Sequence, residues 1–319
     1  MEKLTFQDIL DARQAIRAYA RLTPLEQSFY LGDKDHKFYF KLESLQRARS
    51  FKIRGAANKM LSLTEEERQR GVGAVSSGNH GSSVAYAAQM LGIDKAVIIV
   101  PECTPQSKID KIRYFGAEVR LMGRNYDEAH ALGMAYIREK GLTNIDSCHD
   151  DIKVYAGQGT VALEILEQEP EIDTIVVPIG GGGIATGVAL AAKTVNPAIR
   201  VYGVQTEACP AMVASYADSV CYEEYPIGET LCDALVGGVG VLSYEMLRDY
   251  VDDILVVKEE TIRKAAAFLL TEEKYVIEAG SATTVAAVWD HPEKFTGKKT
   301  ALILTGGNID GDTIRKVLG

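Results

Sequence analysis

The sequence predicts an α/β protein built on two open parallel sheets, and three observations carry the prediction. Short apolar runs recur along the 319 residues. Several are continuous Val/Ile stretches, as in strands buried on both faces. Longer segments with helical spacing separate them, which is the pattern of βαβ units. Finally, the runs form two series, residues 48–145 and 150 to the end, and a chain of this length is too long for one ordinary core.

The strand candidates are "AVIIVP" (96–101), "AEVRLM" (117–122), "TIVVP" (174–178), "VYGVQ" (201–205), "DILVV" (253–257) and "ALILTGG" (301–307), with a shorter run "GAVS" at 73–76. Helical patterns cover 82–91, 106–115, 126–140, 158–168 and 261–274. The polar stretch "TNIDSCHDD" (143–151) is the candidate crossing between domains.

Composition narrows the function classes. Hydrophobic content of 46% and charged content of 25% are ordinary for a globular chain. A net charge of −9 without a basic block argues against nucleic acid or an anionic membrane as partner. No apolar run reaches the length of a membrane span, and the N-terminal stretch lacks a secretory core. The five cysteines, Cys103, Cys148, Cys209, Cys221 and Cys232, are odd in number and contain no CxxC pair. They read as reduced thiols in a cytoplasmic protein rather than a disulfide or zinc framework.

Three loops suit parts of one ligand. "PIGGGGIATG" (178–187) follows an apolar strand and opens a helix. Gly180, Gly181, Gly182 and Gly183 let backbone N–H groups close on a phosphate at a helix N-terminus. Gly180, Gly182 and Ala185 also fit a dinucleotide fingerprint, with Glu207 after the next strand. A nicotinamide-dependent oxidoreductase is therefore an alternative, although such a fingerprint usually opens its domain. "SSGNHGSS" (76–83) gathers small donors at a second helix start, a place suited to a carboxylate. Turn and capping roles for Ser76 and Asn79 are the competing reading. "LTGGNID" (304–310) ends the last apolar strand, where open α/β sheets bind ligands, and Thr305 offers a neutral hydroxyl there. Upstream, "SFKIRGA" (50–56) sets Lys52 between an aromatic and an isoleucine.

Together with "ESLQRARSFKIRGA" (43–56) and "GQGTVALEI" (157–165), these motifs stand in the order seen in the fold type II pyridoxal-phosphate enzymes. The chain most resembles their threonine/serine dehydratase and serine racemase branch, over nearly its whole length. The resemblance implies pyridoxal 5'-phosphate as cofactor and a small domain (48–148) inserted in a larger one (1–47 and 149–319). It implies that Lys52 forms the Schiff base, that Phe51 and Asn79 border the cofactor ring, and that Gly180 to Gly183 hold the phosphate. Thr305 then faces the ring nitrogen and Glu278, in an altered "VIEAGSA", lies near the ring. Ser76, Ser77, Asn79, His80 and Gly81 match the substrate-carboxylate loop.

The implied reaction is dehydration of a small β-hydroxy amino acid (threonine, serine or a more polar analogue such as hydroxyaspartate) to a 2-oxo acid and ammonia. Lys52 serves as base, for which desolvation lowers a lysine's pKa. An amino-acid racemase is the alternative within the family, and a homodimer is the family's usual assembly.

The chain departs from the family pattern in four places. Ala48-Arg49 replaces Thr-Gly, so Arg49 either points to solvent or meets a second acidic group. Ser82 replaces a glutamine. "SCHDD" (147–151) puts His149 where it borders substrate or merely the surface. The racemases' acidic metal ligands fall near Gln205 and Ala211, poor replacements for a charged oxygen, so no metal is expected. Ser77 nonetheless matches the racemases' second proton donor. "LVGGVG" (235–240) is similar to dehydratases of the hydroxyectoine-use pathway.

Overall fold

The computed structural model describes residues 2–146, 151–297 and 299–319. Its described elements run in chain order as α1 (Phe6–Ile16), β1 (Leu25–Gly32), β2 (Lys37–Leu42), α2 (Lys52–Leu61), α3 (Glu65–Arg70), β3 (Val72–Val75), α4 (Asn79–Leu91), β4 (Ala96–Val100), α5 (Gln106–Tyr114), β5 (Glu118–Leu121), α6 (Tyr126–Glu139), β6 (Thr143–Asn144) and α7 (Ile152–Gln168). There follow β7 (Thr174–Pro178), α8 (Gly183–Val195), β8 (Arg200–Thr206), α9 (Ala211–Asp218), α10 (Val241–Leu247), β9 (Asp253–Val257), α11 (Glu259–Thr271), α12 (Ala279–Asp290), β10 (Lys299–Leu304) and α13 (Gly311–Leu318).

Two sheets result. The larger has the order β1-β2-β10-β7-β8-β9 and the smaller β5-β4-β3-β6. Every pairing is parallel except β1 with β2, which is antiparallel. The expected strands all form. The predicted run at 301–307 stops at Leu304, because the backbone of Thr305–Gly307 turns to bond other segments.

Burial explains the central strands. Every residue of β3, β4 and β7 is buried, as expected of strands covered by helices on both faces. In the larger sheet Ile175, Val177 and Val201 face a core with α7 and α8. On the other face Val176, Val204 and Leu302 pack with Ala282, Val285 and Ala286 of α12. The smaller sheet has its own core, with Ile98 and Val100 against Val84 and Ala88 of α4. α2 sits between the two bodies and packs on both α4 and α7.

Candidate active site

The C-terminal ends of β3, β7 and β10 lead into the three loops singled out above. β3 runs into Ser76 and the start of α4. Ser76 N donates to Ile99 O at 3.0 Å and Gly78 N to Ser76 Oγ at 3.3 Å. Ser76, Ser77 and Asn79 are partly exposed. Gly81 is needed for contact: a Cβ there would lie 2.1 Å from Ser76 O.

β7 leads to the four glycines. Gly182 adopts φ +97°, and a Cβ on it would sit 2.5 Å from the Ser243 side chain. Gly240 N donates to Gly181 O at 3.0 Å, and Tyr155 and Ser243 hydroxyls bond at 2.8 Å beneath the loop. The bend leaves the first N–H groups of α8 without helical partners, a cradle for an anion.

The segment bearing Lys52 is sewn to the end of β10. Ser50 bridges Gly306, Phe51 N donates to Thr305 O at 3.1 Å, and Gly307 N donates to Arg49 O at 2.9 Å. Lys52 opens α2, its Nζ 5.3 Å from the centre of the Phe51 ring. The approach to this turn is strained: Ala48 (φ 55°) and Arg49 (φ 62°) both adopt left-handed backbone. Non-glycine residues there cost about 1–2 kcal/mol each. Arg49 is exposed.

Polar groups tie the loops together. Asn79 Nδ2 donates to both Glu278 oxygens, at 2.8 and 3.0 Å, and Glu278 N donates to Gly306 O at 2.9 Å. Burial pushes the Glu278 carboxyl up to about 7, against the opposing effect of the Asn79 amide. Thr305 Oγ1 lies 3.1 Å from Ser281 Oγ, which also donates to Gly306 O. From the small-sheet side, Lys111 Nζ donates to Ala48 O at 3.0 Å and to Asn308 Oδ1. Burial is the main cause that lowers its pKa to about 8, with Arg49 adding repulsion.

Phe51, Asn79, Glu278 and Thr305 are thus joined at the end of β10 beside Lys52, next to the end of β7 that leads into the glycine loop, and their donor set fits pyridoxal phosphate: an anion cradle, a lysine, and hydroxyl and amide groups. Residues 16–306 match the family model described as "Pyridoxal-phosphate dependent enzyme". The chain belongs to this family. It is 42% identical over 317 residues to an L-threonine ammonia-lyase of Thermotoga maritima, covering 99% of this chain and 78% of that one. It is 38% identical to the catabolic L-threonine dehydratase TdcB of Escherichia coli, covering 99% and 96%. Among solved structures, maize serine racemase superposes with a TM-score of 0.91 at 33% identity, covering 99% of this chain and 97% of that chain.

Membership in the pyridoxal-phosphate family replaces the dinucleotide reading of Gly180, Gly182 and Ala185. Glu207, the acid that reading needs, instead accepts from Glu259 N at 2.9 Å and caps α11.

His80, expected in the carboxylate loop, is buried, and its Nε2–H donates to Ile145 O at 2.7 Å. Burial, reinforced by the Lys52 charge, lowers its pKa to about 4, so it is neutral. His149 lies outside the described residues. Gln205 Oε1 accepts from Met212 N and Val213 N at 3.0 and 3.2 Å, capping α9.

Asn308 and Ser281 escaped the sequence reading. Both lie in quoted motifs, and Asn308 donates to Asn79 Oδ1 and Ala48 O. Position after a strand end was the available signal for Asn308; Ser281 had none, since a small hydroxyl early in a helix is commonplace.

Proposed function

We propose that this chain is a pyridoxal-phosphate-dependent ammonia-lyase that converts a small β-hydroxy amino acid to a 2-oxo acid and ammonia. The observation that supports it most is that the Lys52 turn is tied to Thr305 at the end of β10, beside the end of β7 that leads into the glycine cradle, in a chain 42% identical to a threonine ammonia-lyase. Residues 48–148 form a small domain inserted in a large one (1–47 and 149–319), with the cleft between them.

The cofactor, once bound, withdraws electrons and so acidifies the α-hydrogen of the amino acid attached to it. Gly180 to Gly183 would hold its phosphate through backbone N–H groups. Lys52 Nζ would hold it covalently and, when displaced by the substrate amine, would take the α-proton. Ser76, Ser77, Asn79 and Gly81 receive the substrate carboxylate. Thr305, held by Ser281, would offer the cofactor a neutral hydroxyl rather than a carboxylate, which favours prompt loss of the β-hydroxyl, leaving as water once protonated. The released enamine hydrolyses to 2-oxo acid and ammonia. Gln205 occupies its amide in capping α9, which favours turnover without a divalent cation. The protein acts as a cytoplasmic homodimer.

Ammonia release over a panel of serine, threonine and both 3-hydroxyaspartates tests the reading, with the visible absorption of lysine-bound cofactor followed in Lys52→Ala. Ammonia from at least one substrate, and loss of the band in the variant, are expected. A protein that takes up no pyridoxal phosphate sinks the proposal. The Ser77 hydroxyl favours one further reading, racemisation, for which the product is the D-amino acid.

A further inference from the structure

Two residues beyond Lys52, Arg54 is fully buried, with 1% of its surface exposed. Its Nε and Nη2 donate to the two oxygens of Glu43 at 2.8 and 2.7 Å. Its Nη1 and Nη2 donate to the two oxygens of Glu164 at 2.6 and 2.8 Å. Nη1 also reaches Thr160 Oγ1 at 3.1 Å and Nη2 reaches Arg21 O at 3.3 Å. Lys41, equally buried, donates to Glu164 at 2.6 Å, Thr23 O at 2.7 Å and Gln168 at 2.9 Å. Two cations and two carboxylates cancel, and the guanidinium spends its donors on two bidentate forks.

Such a cluster is costly to bury, and an apolar replacement often serves stability as well. Its place in the fold suggests why it is there. Glu43 directly follows Leu42, whose register partner is Leu304. Thr305, next after Leu304, accepts the Phe51 N–H. The turn carrying Lys52 is therefore pinned on both sides from one register pair, at Phe51 by Thr305 and at Arg54 by Glu43. Glycines let α7 close in on α2: a Cβ on Gly157 would lie 2.5 Å from Arg54 O, and one on Gly55 2.7 Å from Val154 O.

We propose that Arg54 is a positioning residue for Lys52, its double fork fixing the rotation of α2 and so the place of Nζ. This rests on the assignment of Lys52 as the cofactor-binding lysine. With Nζ about 8 Å from the helix axis, a rotation of about 10° moves it by more than ~1 Å. Misplacement on that scale costs on the order of a hundredfold in rate.

The test compares Arg54→Lys, which keeps the charge and loses the forks, with Lys41→Met, which damages the same cluster from β2. Each holoenzyme is stripped of cofactor, and the rate at which added pyridoxal phosphate becomes lysine-bound is read from the visible band. The kcat, KM and thermal midpoint are measured alongside. In Arg54→Lys the reloading rate and kcat fall at least about tenfold with KM within about twofold. Lys41→Met, at a similar loss of thermal midpoint, keeps both. Thr160→Val, which removes one guanidinium bond at nearly constant shape, shows a smaller loss in the same two rates and carries the test if Arg54→Lys does not fold. Wild-type rates in Arg54→Lys, or in a folded Thr160→Val should it stand alone, overturn the proposal. Equal loss in Lys41→Met overturns it too. A wild-type band that survives in Lys52→Ala overturns instead the lysine assignment beneath it.

Discussion

Glu278→Gln is expected to change how stability depends on pH. Glu278 sits buried at the start of α12, its carboxyl pushed up to about 7 from an ordinary 4.5. Between those values the folded protein keeps a proton that the unfolded chain has lost, so stability falls as pH rises through the window and levels off above it. At about 1.4 kcal/mol per pH unit, the separation amounts to about 3 kcal/mol. A glutamine retains an acceptor for Asn79 but carries no titration. On cofactor-free protein, urea midpoints at half-unit steps from pH 4.5 to 8 give the two profiles. The variant should gain on the wild type by about 3 kcal/mol across the range, most steeply between pH 5 and 7. Parallel profiles would refute the reasoning, because they would mean that the Asn79 amide offsets the burial in full.

Gly182→Ala places a Cβ 2.5 Å from Ser243 at φ +97°; a loss of ~2 kcal/mol or more in stability and at least tenfold weaker binding of pyridoxal phosphate are expected by thermal melts and titration. Arg49→Gly relieves the left-handed strain at φ 62° and should raise stability by about 0.5–1 kcal/mol, measured by urea unfolding. In the same variant, unchanged turnover of 3-hydroxyaspartate would assign the arginine to solvent, and a selective loss to substrate. Ser77→Ala should retain ammonia release and lose D-amino acid formation, assayed by chiral chromatography; equal loss of both would remove Ser77 as a second proton donor.

The strands and loops of the site were legible because their signals are local. Val/Ile runs mark buried parallel strands, and Gly180 to Gly183 have no purpose in a strand or helix that did not approach a ligand closely. β1 and β2 gave no such signal: β1 is mostly exposed along its length, and β2 carries Lys41, whose burial makes sense only once Glu164 stands opposite. The Arg54 forks were equally illegible. Glu43, Arg54 and Glu164 read as scattered charges, and their pairing depends on α2 lying across α7. Neither Ala48 nor Arg49 advertises positive φ by residue type; only the glycine that the family pattern carries at position 49 hinted at it. Asn79 and Glu278 were read from the family resemblance, but not their mutual bond, which joins the two sheets' loops.

The stitching of Ser50 and Phe51 to Thr305 and Gly306 has a consequence for synthesis. The turn that presents Lys52 is made early by the ribosome, whereas the strand end it hangs on follows most of the chain later. Until β10 slots between β2 and β7, the lysine has no fixed direction and Asn79 no Glu278 to hold. The turn that presents Lys52 is therefore completed only when the last strand of the large sheet is in place.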